Sequence, residues 1–262
     1  MLLAIDVGNT AMSLGIYNGE DLRAEWSIAT DRRKTHDEYG LLFLALLDQR
    51  GLRAADIHAV AISSSVPPVV PTLERMAQKY FSLKPLVVGP GVKTGMVIRY
   101  DNPREVGADR IVIAVAAYEK YGGPLIVVDF GTATIFDVIS REGEYLGGVI
   151  APGVSISVEA LFTQAAKLPR IELVKPETVL ARNTIHSMQS GVIYGFAGQV
   201  DELVERLIEE LGPAAEGVKV IGTGDQNEVA IETERIQIID PYLALEGLRM
   251  IYERNQAARG ER

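Results

Sequence analysis

The sequence predicts an α/β protein made of two copies of one domain, each a five-stranded mixed sheet with flanking helices. Two observations carry that prediction. The phrase LLAIDVGNT at residues 2–10 returns as LIVVDFGTA at 125–133, placing Asp6 and Asp129 in register. The sequels match as well. Each continues through a β-rich run to a polar turn (YNGED at 17–21, SREGE at 140–144) and then a further run (LRAEWSIA, YLGGVIA), the pattern of strand, turn, strand, turn, strand. The copies are expected near residues 1–118 and 119–262, facing each other across a cleft.

The opening strand of each copy is almost wholly apolar, as a strand buried on both faces requires. HDEYGLLFLALLDQRG (36–51) then carries Tyr39, Leu42, Phe43 and Leu46 at helical spacing and stops at Gly51. AADIHAVAISSSVP (54–67) reads as a turn and a buried strand, and PTLERMAQKYF (71–81) as a helix opened by Pro71. A stretch rich in Gly and Pro, residues 87–110, gives way to the apolar helix IVIAVAAYEKYG (111–122). In the second copy the glycine-dense GGVIAPG (147–153) reads as a tight turn. GQVDELVERLIEELG (198–212) sets Val200, Leu203, Val204, Leu207, Ile208 and Leu211 on one helical face. VKVIGTGD (218–225) follows as a strand and DPYLALEGLRMIYERN (240–255) as the closing helix, with QAARGER frayed beyond it.

Composition narrows the functions. A chain of 262 residues, 47% hydrophobic, has enough apolar material for a large core or two smaller ones. Its net charge of −9 argues against non-specific binding to nucleic acid or to an anionic membrane. With no cysteine there is no disulfide, thiolate nucleophile or cysteine-bound metal. Asp6 interrupts the first apolar run, and no window is long enough to span a bilayer, so a cytoplasmic protein is expected.

An aspartate ending a buried strand before a glycine turn sets its carboxylate at the sheet edge. The following amides, with the hydroxyls of Thr10 and Ser13, can donate to phosphate oxygens while the carboxylate holds a metal or its water. One such turn is explained equally well as a strand end. Two in register favour a phosphate cradle, and without G-x-x-x-x-G-K-[ST] it is not a P-loop. Asp109 reads either as the N-cap of the helix that follows or as a carboxylate positioned to accept a hydroxyl proton. Arg110 beside it opposes the helix dipole, a conflict that an anionic ligand relieves. The basic run TDRRKT (30–35) reads as a solvated loop. His36 near a helix start, His58 in an apolar strand run and His186 in a helix read as surface or core residues with no metal-site spacing, and Trp26 as core.

Five segments together resemble the type III pantothenate kinases of the acetate and sugar kinase, heat-shock chaperone and actin superfamily. They are DVGNT (6–10), YDNPREVGADR (100–110), DFGTAT (129–134), GGVIAPG (147–153) and RNT (182–184). The resemblance runs nearly end to end. It implies two duplicated ribonuclease H-like domains in the actin-like ATPase fold, and ATP-dependent conversion of pantothenate to 4'-phosphopantothenate, the first step of coenzyme A biosynthesis. It implies ATP contacts from Asp6, Val7, Gly8, Asn9, Thr10, Ala11, Met12, Ser13 and Thr132. For pantothenate it implies Tyr100, Gly107, Ala108, Asp109, Arg110 and Thr184, with Thr184 reaching in from the second subunit of a homodimer. Asp109 becomes the general base, Asp6 the magnesium residue acting through water, and Asp129 the ligand of a monovalent cation, K⁺ or NH₄⁺. The chain departs from the family at Asp225, where Thr-Gly-Gly is usual, at Ala11 and Met12, where Asn-Thr is common, and at Ile185 and His186. Two other readings compete: a polyphosphate or nucleotide phosphatase, which the Asp109–Arg110 pair disfavours, and a nucleotide-binding regulatory protein accessory to transcription, in which Asp109 need not persist.

Overall fold

A computed structural model describes residues 1–225 and 227–260. The chain divides into two units. The first holds Met1–Met96, Asn102–Ala116 and the chain from Leu243 onward; the second holds Val97–Asp101 and Ala117–Tyr242.

In the first unit β1 (Leu2–Val7), β2 (Ala11–Asn18) and β3 (Asp21–Ala29) form an antiparallel meander. Helix α1 (His36–Gln49) follows, its first turn closed by a capping box in which Thr35 and Glu38 satisfy each other's backbone amides. Then β4 (Ala59–Ser64), α2 (Val70–Phe81) and β5 (Leu86–Val87) complete a sheet of order β3-β2-β1-β4-β5, with β4 parallel to β1. Tyr39 and Phe43 are buried as their spacing predicts, and Leu42 and Leu46 pack against the same core.

In the second unit β7 (Leu125–Phe130), β8 (Ala133–Ile139) and β9 (Glu144–Pro152) repeat the meander, and β10 (Lys219–Gly224) and β11 (Ile238–Ile239) repeat the parallel pair. The duplication extends to burial. β1 and β7 share one pattern, four buried residues, a half-buried aspartate and a buried residue. This sheet has six strands where five were expected. β6 (Val97–Ile98), from the connecting stretch, joins parallel to β9 and gives the order β11-β10-β7-β8-β9-β6. The Arg99 amide donates to Tyr145 O at 2.8 Å and its guanidinium meets Glu144 at 2.6 Å, which together hold so short a strand in place.

Helix α3 (Ala108–Tyr121) leads into β7, and the unit boundary falls within it. GGVIAPG is not a turn. Its first six residues are the end of β9, and Gly153 opens α4 (Val154–Gln164), a helix the sequence did not announce. α5 (Thr184–Leu211) joins the helix expected at His186 to the one expected over 198–212, and its Val200 and Val204 are buried as predicted. The one-turn α6 (Asn227–Ala230) follows β10. α7 (Leu243–Gly260) continues through residues expected to fray; Glu261 and Arg262 lie outside the described residues. Late in sequence, α7 packs on β1, β4 and β2 of the first unit. Its Gly247 lies so close to α3 that a Cβ there would strike the Val112 carbonyl. No helix among the described residues is long and apolar enough to cross a membrane.

Candidate active site

Asp6 and Asp129 hold equivalent places. Each is the fifth residue of its central strand, and the Gly8 and Gly131 amides close the turns beyond by donating to Ala11 O (2.9 Å) and Ala133 O (3.0 Å). The first turn is one residue longer: Gly8, Asn9 and Thr10 separate β1 from β2, whereas Gly131 and Thr132 separate β7 from β8. Residues in register on adjacent strands share a sheet face. Asp6 is therefore flanked by Ser13 on β2 and Ser63 on β4, and Asp129 by Ile135 and Thr223. Sequence reasoning missed Ser63. Its only signal was a serine triplet ending a buried strand, and the pairing with Asp6 comes from 57 residues away. Ser63 is fully buried, and its Oγ has no hydrogen-bond partner among the described residues.

The second turn is shaped by close approaches. A Cβ at Gly153 would run into the Gly131 and Thr132 carbonyl oxygens, so only glycine lets the start of α4 sit against this turn. Gly224 has φ +93°, and a Cβ there would lie 2.8 Å from Asp129 Oδ1. The Asp225 amide donates to Phe130 O at 2.9 Å. Asp129 Oδ1 and the Phe130 carbonyl oxygen therefore both border the space that a side chain at 224 would fill.

The first turn is held by the start of the TDRRKT segment, a loop exposed at Arg32, Arg33 and Thr35 as expected but docked through Thr30 and Asp31. Thr30 N donates to Thr10 O at 2.9 Å and Thr30 Oγ1 to Gly8 O at 2.8 Å. Arg32 Nη2 donates to Asn9 Oδ1 at 3.2 Å. The Tyr39 hydroxyl donates to Asp31 O at 2.9 Å and accepts from the Asp31 amide at 3.1 Å.

Asp109 lies in the first turn of α3, half-buried, with its Oδ1 so close to Gly107 that a Cβ there would collide with it. The helix begins at Ala108, so Asp109 stands inside it and not at the N-cap position. Arg110 is only 7% exposed, an uncommon degree of burial for a cation in the first turn of a helix. Tyr100 follows β6, its ring centroid 6.4 Å from that of Tyr145, whose hydroxyl donates to the buried carboxylate of Asp137 at 2.7 Å. Thr184 opens α5, is exposed, and follows the N-cap Asn183, which accepts from the His186 amide at 2.9 Å. The predicted residues thus gather locally: 6–13 on one turn, 107–110 at one helix start, Asp129 and Thr132 on the second turn, and Tyr100 and Thr184 on separate elements.

Residues 2–206 match the family model for type III pantothenate kinase. A type III pantothenate kinase 2 of Symbiobacterium thermophilum is 64% identical over the whole of both chains. A type III pantothenate kinase of Geobacter sulfurreducens is 55% identical over 98% of this chain and 100% of its own. The chain belongs to the type III pantothenate kinase family. Two solved structures share its fold. Component A of (R)-2-hydroxyglutaryl-CoA dehydratase from Acidaminococcus fermentans has a TM-score of 0.56 at 14% identity, covering 98% of each chain. The ethanolamine utilization protein EutJ from Carboxydothermus hydrogenoformans has a TM-score of 0.57 at 14% identity, covering 95% of this chain and 89% of its own. The fold is the actin-like ATPase arrangement of duplicated ribonuclease H-like domains. In this type III pantothenate kinase family member the Asp6 turn, the Asp129 turn and the start of α3 are each ordered by contacts within their own units.

Proposed function

We propose that the protein transfers the γ-phosphoryl group of ATP to the primary hydroxyl of pantothenate, giving ADP and 4'-phosphopantothenate for coenzyme A biosynthesis. The observation that carries this is the full-length match to type III pantothenate kinases, joined to Asp109 at the start of α3. Asp109 accepts the hydroxyl proton as the pantothenate oxygen attacks phosphorus in line and the bond to the ADP oxygen breaks. Arg110 takes the pantothenate carboxylate, and Gly107, Ala108 and Tyr100 line the substrate. Residues 6–13 and Thr132 contact ATP, the amides and hydroxyls of the turns serving phosphate oxygens. The family match favours this kinase over a regulatory role.

Among the described residues no cluster of His, Asp or Glu could hold a metal by itself. Mg²⁺ is bound by one or two carboxylates together with substrate phosphates and water, so a single aspartate can serve it. The residues fit: Asp6 stands between the hydroxyls of Ser13 and Ser63, and the buried Ser63 Oγ is available for an oxygen-rich shell. Bound there, Mg²⁺ would neutralise charge developing on the phosphates. Asp129 Oδ1 and the Phe130 carbonyl oxygen beside Gly224 are the oxygen donors a hard monovalent cation such as K⁺ or NH₄⁺ prefers.

A homodimer completes the proposal, with Thr184 serving the partner's pantothenate. Its support is apolar exposure in the second unit. Val179 (67%) and Leu180 (82%) stand open just before α5, Ile185 at its start, and Ile156 and Leu161 on α4, more than isolated surface residues would explain. The cytoplasm is the compartment that supplies ATP to this reaction. The test is incubation of purified protein with pantothenate, ATP and Mg²⁺, with and without K⁺. K⁺-stimulated formation of ADP and 4'-phosphopantothenate is expected, and absence of product in both conditions refutes the reading.

A further inference from the structure

We propose that Arg32 is a phosphate-binding residue of the nucleotide site, its guanidinium closing over the polyphosphate at the Gly8–Thr10 turn. The inference rests on the reading that this turn receives ATP phosphates. Three consecutive cations, Arg32, Arg33 and Lys34, follow Asp31, and the structure disposes of them differently. Arg33 is satisfied locally: its amide (2.9 Å) and Nε (3.4 Å) both donate to Asp31 Oδ1. Those bonds hold the Asp31 carboxyl below its ordinary value. Lys34 Nζ lies 5.6 Å from the Tyr39 ring centroid, a cation–π placement. Arg32 alone is directed at the turn, and its acceptor there is the neutral side-chain amide oxygen of Asn9. A neutral acceptor leaves the guanidinium charge uncompensated, and a planar fork of donors matches phosphate oxygens.

The backbone beneath Arg32 is fixed on both sides. Thr30 is bonded to the carbonyls of Gly8 and Thr10, and Tyr39 and the Thr35–Glu38 capping box hold residues 31–35. Arg32 itself is exposed, so its side chain can exchange Asn9 for a phosphate without moving the main chain. On a chain of net charge −9, a cation fixed at this turn is what a polyanionic ligand needs.

The experiment measures ATP and AMP binding by titration calorimetry with Mg²⁺, with KM values for ATP and pantothenate, in four variants. Arg32→Gln keeps a donor for Asn9 but lacks the charge; it should weaken ATP binding about tenfold or more while leaving AMP binding, pantothenate KM and melting temperature unchanged. Arg32→Lys should recover part of the loss, because it restores charge without the fork. Arg33→Ala should bind ATP as the wild type does. Wild-type ATP affinity in Arg32→Gln, or equal losses for ATP and AMP, overturns the proposal, the second outcome marking Arg32 as a mere tether. Asp6→Asn separates the two claims. If it weakens ATP binding while Arg32→Gln does not, only the role of Arg32 fails; if neither does, the assignment of the turn fails too.

Discussion

At the scale of single residues, the two halves of the chain are equivalent where chemistry demands it and different where it does not. Asp6 and Asp129 share strand position, burial and a glycine two residues on. Each also has a hydroxyl residue in register on the adjacent parallel strand, Ser63 or Thr223. Ser63 is the more informative of the pair, because its buried Oγ finds no partner among the described residues. A buried hydroxyl in that state contributes nothing to folding that a methyl group would not. Ser63→Ala should therefore leave the unfolding free energy within about 0.5 kcal/mol, or raise it by up to about 1 kcal/mol. Urea denaturation without ligands is the measurement, and a loss above about 2 kcal/mol would mean the hydroxyl is engaged in the ligand-free fold.

At the scale of elements, the end of α3 is fastened to Asp240, the residue that follows β11. Burial works against the charge of Asp240, yet hydrogen bonds from Lys120 Nζ (2.6 Å), Tyr121 Oη (2.7 Å) and the Tyr242 amide (3.0 Å) hold its carboxyl below 3.8. The folded pKa is the lower one, so this stabilisation is present above 3.8 and is lost as pH falls through the folded value. Asp240→Ala should cost roughly 3 kcal/mol at neutral pH and flatten the acid limb of the stability profile. An unchanged acid limb would remove Asp240 as its source. Such long-range pairs were not legible in the sequence, whereas β1 and β7 were, as continuous apolar runs, and the buried face of α1 was, by its helical spacing. α4 was hidden because Gly153 offers no side-chain cap and Val154, Ile156 and Val158 alternate with serines as a strand would. The continuity of α5 from His186 to residue 198 was hidden by Gly191, Gly195 and Gly198. β5, β6 and β11 span two residues each and leave no period to read. Within the site, the Asp-x-Gly turns and the Asp109 segment were legible as motifs. Ser63, Gly153 and the docking of Thr30 on the first turn depend on contacts between distant stretches.

At the scale of the whole molecule, the proposed dimer predicts a particle of twice the 28.5 kDa chain mass. Leu180→Glu, at the most exposed apolar position, should give monomers in sedimentation with a raised KM for pantothenate, since Thr184 would no longer reach a partner. A fully active wild-type monomer would end that account. The central proposal is that proton abstraction from pantothenate falls to Asp109 at the start of α3, outside the repeated Asp-x-Gly turns proposed to serve the nucleotide. Its most direct test is pantothenate phosphorylation by Asp109→Asn beside the wild type, with ATP affinity measured on the same preparations. The account predicts turnover reduced about 10²- to 10⁴-fold at unchanged ATP affinity. Wild-type turnover in Asp109→Asn would contradict it.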